Sequence, residues 1–494
     1  MFLCDLSKVG MFRADVGLSI EAMFVTGGYY KQLIALYRHL GVKFRHANFS
    51  YSFSALTPTA KGILDLRTYF IYNGSSGAKG VSFPMNNPYC VARDLRNQII
   101  SFLCFMLATM VMLCIYLRVL LLASPIFRPE PSVTFHQWVL QTTPKGILAR
   151  WTRFDTFWRE FSREVLLPMF SAVCTAPEED VYAHPMAEFL GSCSPQKNQT
   201  SIFAHALKEY IWMTIGSHHY VVQYGVRDVA SRLARYIPHI HLSTTIVSID
   251  TDPSDSSKLS IQTTEGTYKG FSHLIIATQA NNGIPLLTSY YTSLPEDASE
   301  HRQALGELIQ CLESFQYRKT VVINHTDDAF LPLDQRDRRD LNLVQGTGQE
   351  SNGLQFNNTL TVPLSYTMAT HVLCDSKDTP IYQTTNPIVP PRQDSILSVA
   401  VLERAVLTAK SKTALQLLSY QEEGQWPFTK PSASLGRLQG AGRLQGVAWP
   451  GIWICGSYAY GGIPLLEGCV ASARNVVEQG ILHCEGVVVH DEPW

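Results

Sequence analysis

The chain has 494 residues and a formal net charge of −1, and 46% of its residues are hydrophobic while only 16% are charged. This length accommodates two domains, and the composition is more apolar than that of a typical soluble protein. No basic run or aromatic-basic interleaving suggests a nucleic-acid surface, so no nucleic acid is expected as a partner. The 11 cysteines lack C-x-x-C pairs and zinc-like spacing, which predicts reduced thiols and no metal site. The N-terminus shows no secretory signal, so secretion is not expected.

The first periodic segment predicts a helix that ends at Gly41. Its apolar positions follow the spacing i, i+3, i+4, i+7 at Leu33, Leu36, Tyr37 and Leu40. Residues Val42 to Ser54 then predict a pair of strands, because aromatic and small residues alternate there. The stretch from Asn73 to Pro88 is rich in Gly, Ser, Asn and Pro, which predicts a loop.

Residues Ile99 to Ala123 form an apolar run of 25 residues whose single charge is Arg118. Such a run is long enough to cross a bilayer core of about 30 Å. Arginines lie on both sides of it, so the charge distribution does not define an orientation. Three hypotheses stay open: a membrane-spanning helix, a helix buried inside a substrate domain, and a helix lying in the membrane surface. The protein is accordingly expected to be membrane-associated or cytoplasmic.

The middle of the chain alternates between helical and strand patterns. Thr134 to Phe170 is rich in Trp and Phe and predicts helix ending near Pro168. After Gly225 the patterns predict a helix, a strand, a hairpin around Glu265-Gly266 and a further strand; the bounds are Val226–Tyr236, His241–Ile249, Leu259–Ser272 and His273–Thr278. Many flavoproteins have this order in the second half of a nucleotide-binding domain.

Three other stretches give weaker expectations. Asp334 to Thr359 is polar and rich in Gly, Asn and Gln, which predicts a surface loop. The sequence GRLQG occurs twice between Gly436 and Gly446, a local duplication to which the sequence assigns no chemistry. His325, at the end of a β-branched run, is expected at a solvated strand end, as is Lys319 at its start. No catalytic residue is assigned.

The most informative stretch runs from Gly451 to Leu482. It predicts a buried strand, Ile452 to Cys455, a turn at Gly456 and a helix from about Leu465. The start of a helix offers unpaired N–H groups and partial positive charge, which suit a pyrophosphate or the anionic edge of a reduced flavin. Small side chains permit close approach of the backbone to a cofactor; these are Gly468, Ala471, Ser472 and Ala473. The alternative is an ordinary, tightly packed strand–turn–helix.

This stretch resembles the C-terminal flavin motif of FAD-dependent amine oxidases, the flavin-containing amine oxidoreductases. In that motif a strand ending in A-G precedes G-x-x-x-G-A-x-x-S-G on a helix. Gly456, Gly468 and Ser472 stand at matching positions. Glu467-Gly468 is similar to the E-D-G step of the related predicted NAD/FAD-binding proteins of bacteria. The chain departs from the motif at Cys455, Cys469 and Ala473, where larger side chains would face the cofactor.

Weaker matches follow in the family's order from about Asp15 to Leu482. Asp15-Val16-Gly17 with Tyr30 to Gly41 resembles the segment after the family's first unit. Further matches are His219-Tyr220, Gly225 to Arg227, Thr245 to Ile249, Ala277-Thr278 and Thr384 to Pro387. The resemblance implies that Ile246 meets the adenine and that Ala277-Thr278 ends the next strand of the cofactor domain.

The resemblance implies an α/β fold: a two-domain, glutathione-reductase-like FAD-binding flavoprotein with discontinuous domains. The first Rossmann strand and the glycine-rich phosphate loop are expected to be missing, because no strand–GxGxxG–helix precedes Asp15. A gene model that starts too late is favoured over a degenerate remnant. The FAD-binding domain is expected to comprise residues 1–24, 216–287 and 447–482. The substrate domain is expected to comprise residues 25–215 and 288–446, and residues 483–494 are expected to form a tail.

The implied function is that of an FAD-dependent oxidoreductase that transfers a hydride from an apolar small-molecule substrate to flavin. The alternative is a non-catalytic, membrane-attached remnant that does not bind FAD. The cofactor-binding residues implied by the resemblance are Ile246, Ala277, Thr278, Gly456, Ser457, Gly468 and Ser472. A metal ion is not implied.

Overall fold

The computed structural model describes most of the chain and consists of helices and strands in mixed order. The described residues are 2–3, 24–26, 30–58, 64–74, 78–85, 95–124, 126–127, 129–191, 219–346, 354–356, 360–374, 380–421, 433–445, 449–489 and 494.

The helices within these ranges are α1 (Lys31–His39), α2 (Leu95–Ala123), α3 (Phe135–Thr142), α4 (Ile147–Trp151), α5 (Phe154–Phe161), α6 (Leu167–Cys174), α7 (Glu178–Ala183), α8 (Met186–Gly191), α9 (Gly225–Ala234), α10 (Ala280–Ser293), α11 (Ser299–Leu312), α12 (Ala409–Leu415), α13 (Leu466–Asn475) and α14 (Leu482–Cys484).

The strands are β1 (Phe2–Leu3), β2 (Phe24–Thr26), β3 (Phe44–His46), β4 (Tyr51–Pro58), β5 (Leu64–Tyr72), β6 (Val81–Ser82), β7 (His219–Val222), β8 (Ile240–His241), β9 (Ile246–Asp252), β10 (Asp255–Thr263), β11 (Thr267–Phe271), β12 (His273–Ile276), β13 (Gln316–His325), β14 (Leu341–Gly346), β15 (Leu354–Phe356), β16 (Leu360–Val362), β17 (Thr367–Cys374), β18 (Ile381–Thr385), β19 (Ile396–Val406), β20 (Ser419–Gln421), β21 (Ala433–Leu435) and β22 (Gly451–Ile454).

The largest sheet has eight strands in the order β19-β13-β18-β17-β14-β4-β5-β6. Its middle strand β14 pairs parallel with β4 and antiparallel with β17. The prediction of a surface loop over Asp334 to Thr359 is therefore wrong for Leu341–Gly346. Leu343 and Val344 are buried, and the buried amide of Asn342 accepts a hydrogen bond from Ser52 Oγ at 2.7 Å. The polar composition concealed a strand whose polar groups are satisfied by its neighbours.

A small parallel pair, β12 and β22, carries the motif strand. The two strands run in register, so that Ile276 lies opposite Ile454. The other edge of β22 is covered by one side chain: Gln439 accepts from Ile454 N–H and donates to Ile454 O, both at 2.9 Å. An amide side chain thereby satisfies this edge as a neighbouring strand would. Gln439 belongs to the first GRLQG copy, so that copy has a structural role.

Several local predictions are confirmed, and two need correction. Helices α1 and α9 and the hairpin β10–β11 lie where the patterns place them. The predicted strand His241–Ile249 is instead two strands, because the chain turns between them with Ser243 at a φ of 59°. Helix also continues past Pro168 to Cys174, because this proline lies in the first turn of α6, where an amide hydrogen is not required.

Helix α2 is continuous over 29 residues, and much of its apolar surface faces outward. Ile115, Val119 and Ala123 are buried against the core formed by α3 and α5–α8 on the large sheet. Large outward residues are 40–62% exposed, for example Phe102 at 62% and Leu107 at 58%. The hypothesis of a helix buried inside a substrate domain is therefore wrong. Among the described residues this is the one helix long and apolar enough to cross a membrane.

His325 is fully buried, which contradicts its predicted position at a solvated strand end. Its Nδ1 accepts a hydrogen bond from Asp327 N–H at 3.1 Å, so Nε2 carries the proton and donates to Thr384 Oγ1 at 2.7 Å. Burial lowers the pKa of His325 to about 4. Protonation of Nδ1 would break the bond from Asp327 N–H, so the folded state holds a neutral imidazole.

This burial predicts a loss of stability in mild acid. A histidine whose pKa is lowered on folding binds fewer protons than in the unfolded chain, so the free energy of unfolding decreases as pH falls from about 6.5 towards 4. The decrease is about 1.4 kcal/mol per unit of pKa difference for each such histidine. Chemical denaturation across this range should show a shallower pH dependence for His325→Gln. His136→Gln, at an exposed site, is the matched control; equal slopes in the two variants would contradict the prediction.

Candidate functional site

Four of the seven predicted site residues lie at one edge of the parallel pair. Because β12 and β22 are parallel and in register, their carboxyl ends lie side by side. Ala277 and Thr278 follow one strand and are exposed, while Gly456 and Ser457 follow the other. In open α/β sheets, ligands bind at the carboxyl ends of the strands. The arrangement therefore places these residues at the kind of edge that binds nucleotides.

The turn after β22 is held by one buried hydroxyl. Ser472 Oγ accepts a hydrogen bond from Gly456 N–H at 3.0 Å and lies 3.1 Å from Gly456 O, to which it can donate. Gly456 has a φ of +153°, a conformation that L side chains rarely adopt. The predicted motif serine and motif glycine are thus in direct contact, and their contact fixes the end of the strand against α13.

The close approaches at the motif glycines are made by the chain itself. A Cβ on Gly468 would lie 2.7 Å from the carbonyl oxygen of Ser457, and one on Gly456 would lie 3.0 Å from the ring of Tyr458. The Tyr458 hydroxyl donates to Thr278 O at 3.2 Å and so joins the two strand ends. Tight packing therefore explains these glycines, as the alternative interpretation of the sequence required.

The start of α13 could bind the anionic part of a nucleotide cofactor through its backbone N–H groups. Its N-cap residue, Leu465, makes no capping hydrogen bond through its side chain. The first-turn carboxylate of Glu467 is turned to α1 instead, where it accepts from the N–H groups of Gln32 and Leu33 at 2.8 and 3.0 Å. Burial raises the pKa of Glu467, and the hydrogen bonds from α1 oppose this shift. The helix start keeps backbone donors that an anion could use.

The remaining sequence matches fall in different places. Ile246 begins β9 and is half-buried against the core cluster that contains Ile454 and Tyr458. His219, of the matched pair His219-Tyr220, begins β7 and is buried. His218 and the matched segment Asp15 to Gly17 lie outside the described residues.

A cavity that sequence reasoning missed lies beside the loop preceding α13. The lining comes from three places: the loop itself, the α6–α7 region and the end of β19. The residues are Val173, Cys174, Ala176, Asp180, Val181, His184, Arg404, Ala405, Val406, Leu407, Ile463 and Pro464. Most of these side chains are apolar. Nothing local in the sequence marks the cavity, because its walls come from segments more than 200 residues apart.

Two polar side chains that line this cavity each have a group without a hydrogen-bond partner or without an ion-pair partner among the described residues. His184 is 3% exposed; its Nδ1 lies 3.1 Å from Pro185 O, which makes Nδ1 the donor and leaves Nε2 without a partner. Burial lowers the pKa of His184 to about 4, so the ring is neutral at pH 7. The half-buried guanidinium of Arg404 has no ion pair with a described carboxylate. Asp180 is occupied by Arg318, at 2.7 and 3.1 Å.

Comparisons with known proteins return structures only. No family model and no curated protein matches the chain. The fold is similar to a redesigned double mutant of putrescine oxidase, with 14% identity, a TM-score of 0.43, and coverage of 93% of this chain and 87% of the other. It is also similar to cyclohexylamine oxidase from Brevibacterium oxydans IH-35A, with 10% identity, a TM-score of 0.44, and coverage of 94% and 88%.

The two glycines Gly468 and Gly306 should respond oppositely to alanine. Gly468→Ala should destabilise the fold by about 1–3 kcal/mol, because its Cβ meets a backbone oxygen that cannot move freely. Gly306 lies inside α11, where a Cβ has only an ordinary contact at 3.7 Å with Tyr291. Gly306→Ala should therefore stabilise by about 0.5–1 kcal/mol. Urea denaturation of both variants measures the difference; a neutral Gly468→Ala would contradict the packing described here.

Proposed function

We propose that this protein is an FAD-dependent oxidoreductase of the amine-oxidase type. It would transfer a hydride from a C–H bond of an apolar small molecule to flavin and remove a proton from the neighbouring N–H or C–H, so that a C–N or C–C single bond becomes a double bond. The proposal is carried by one juxtaposition: the strand–turn–helix motif ends the parallel pair, and its own loop, through Ile463 and Pro464, walls the cavity. A cofactor bound at the strand ends would lie on one side of this loop, and the small cavity lies on the other.

Seven residues are proposed to hold FAD: Ile246, Ala277, Thr278, Gly456, Ser457, Gly468 and Ser472. When bound, FAD would supply the hydride acceptor. The chain's contribution is positioning: the Ser472–Gly456 contact fixes the turn, and the Tyr458–Thr278 bond fixes the second strand end beside it. The uncapped start of α13 supplies backbone N–H groups to a negatively charged edge.

The cavity is proposed to bind the reacting end of the substrate. Its mainly aliphatic lining suits an apolar molecule, since burial of apolar surface favours binding by about 25 cal/mol per Å². His184 Nε2, neutral and without a described partner, can accept a proton from a substrate N–H or O–H. Arg404 would attract an electron-rich atom of the same molecule.

This assignment predicts separable effects on catalysis. His184→Phe should lower kcat/KM by roughly 10²- to 10⁴-fold if Nε2 accepts a proton during turnover. Activity of the parent chain should fall as pH approaches 4, because the imidazole then becomes protonated. Steady-state kinetics of both proteins, with flavin content measured in parallel, tests the role of His184. If His184→Phe loses flavin but turns over normally per bound flavin, the catalytic role is excluded.

A second candidate function is a non-catalytic remnant that does not bind FAD. The observation in its favour is that the close approaches at Gly456 and Gly468 are already filled by the chain's own atoms. The upstream genomic sequence discriminates between the candidates. An in-frame strand–GxGxxG–helix supports the enzyme, and stop codons throughout support the remnant.

The direct experiment is a visible absorption spectrum after incubation with FAD and desalting. It is run on the chain as given and on a form extended upstream, both in detergent. Flavin bands retained by either form support the proposal, and retention by the extended form alone assigns the phosphate cradle to the added segment. Ser472→Ala should reduce retention, whereas Ser299→Ala, far along the chain at the start of α11, should not. Two colourless forms would favour the remnant.

A further inference from the structure

The two faces of α2 are both apolar, but only one packs on the protein. Domain-facing positions recur every three or four residues and include Val111, Ile115, Val119 and Leu122. The opposite face has its own stripe of exposed side chains with the same spacing: Leu103, Met106, Leu107, Met110, Leu113, Leu117 and Leu121. A surface helix of a globular protein normally presents polar residues outward. This outer stripe therefore calls for an apolar environment.

Both halves of α2 are attached to the same body. Near its N-terminal end, the ring of Phe105 lies 5.6 Å from that of Phe83, and Met85 N–H donates to the Asp337 carboxylate two residues further on. Near the C-terminal end, Arg118 donates to Thr142 O and lies over the ring of Trp158, 5.1 Å from its centroid.

These attachments decide between the two membrane hypotheses. A helix that crosses a bilayer places the segments before and after it on opposite sides. Here the contact points Phe105 and Arg118 are about 20 Å apart along the helix, from about 1.5 Å per residue, and the bilayer core is about 30 Å thick. The stretch between the two points cannot cross the core while both ends contact one body. The geometry favours a helix that lies along the membrane surface.

A second apolar surface lies beside α2 on α4. Ile147, Leu148 and Trp151 are 90%, 72% and 81% exposed. This surface begins five residues after Thr142, which accepts the hydrogen bond from Arg118, and α4 leads directly into α5, whose Trp158 lies under the same guanidinium. The ridge on α4 is therefore held close to the C-terminal half of α2.

Basic residues surround the α4 ridge. Lys145, Arg150 and Arg153 are exposed, and none has an ion pair with a carboxylate among the described residues. The sequence contains no Asp or Glu from Pro131 to Phe154. Exposed Trp with flanking cations is the composition of an element that lies at the boundary between headgroups and acyl chains.

We propose that the outer stripe of α2 and the ridge of α4 together form a monotopic membrane-docking surface that prefers bilayers with anionic lipid. The helix lies in the plane of the interface, and Trp151 enters the headgroup region between the cations. A second copy of the chain is a poorer occupant, since a two-fold contact through this surface would bring identical unpaired cations together. The proposal is independent of flavin binding.

Vesicle flotation of the full chain tests the docking surface. Binding is expected to vesicles of phosphatidylcholine with phosphatidylserine, and more weakly to phosphatidylcholine alone. Leu107→Glu with Met110→Glu, and separately Trp151→Glu, should each reduce the partition coefficient at least tenfold. Arg150→Ala should reduce binding to the anionic vesicles by about fivefold, from about 1 kcal/mol per basic residue, and leave binding to phosphatidylcholine unchanged.

The control is Leu333→Glu, which places the same charge at another exposed leucine, 68% accessible and distant in sequence from both helices. All variants are compared by thermal unfolding and size-exclusion chromatography, so that a misfolded variant is not counted. Retained binding in folded Trp151→Glu and Leu107→Glu/Met110→Glu proteins would overturn the proposal. A parent chain that forms dimers through this surface and does not float would overturn it in favour of a second copy.

Labelling distinguishes a surface helix from a crossing one. Arg96→Cys, in the first turn of α2, and Glu130→Cys, after α2, place exposed thiols on either side of the apolar run Ile99 to Ala123. With protein bound to sealed vesicles, a membrane-impermeant maleimide added outside should modify both sites, as read by peptide mass spectrometry. Protection of one site and labelling of the other would contradict the monotopic arrangement.

Discussion

The buried carboxylate of Glu467 holds the candidate site together. It lies in the first turn of α13 and caps α1, more than 430 residues earlier in the chain, through the N–H groups of Gln32 and Leu33. Val470, one turn further along α13, packs against the core cluster of α1 and α9. Because Ser472 ties the same helix to Gly456, the position of α1 and the geometry of the turn after β22 depend on each other. The carboxylate of Glu467, which belongs to the segment that resembles a cofactor motif, thus caps a helix in this structure.

Local features of the fold could be predicted because their signals are local. The hairpin around Glu265-Gly266, the helix after Gly225 and the strand–turn–helix at Gly456 each depend on neighbouring residues, and the structure contains all three. Long-range features could not. Leu341–Gly346 is a strand because β4 and β17 satisfy it, His325 is buried because other elements cover it, and Gln439 closes β22 from a duplicated segment without an obvious signal.

The candidate site shows the same division. Four of the seven implied residues follow the carboxyl ends of β12 and β22, and two more, Gly468 and Ser472, lie on α13 against the same turn, because the motif positions define them. His184 and Arg404 could not be found in this way, since only the packing of α6–α7 against the end of β19 brings them to one cavity. For α2, composition gave three hypotheses, and the contacts of Phe105 and Arg118 with one body favour the monotopic one. The proposed membrane-surface position is consistent with the proposed apolar substrate, since apolar molecules partition into bilayers.

The central claim is that flavin binds where the parallel pair ends and α13 begins. Hydrogen exchange of the chain with and without FAD, read by mass spectrometry, tests it at the level of segments. Binding at this edge should slow exchange in peptides that cover Ile276–Thr278 and Gly456–Gly468, whereas peptides from the distant strands β4 and β5 should be unchanged. Two results would contradict the account. One is slower exchange only in other segments, and the other is unchanged exchange throughout a form of the chain that retains flavin colour.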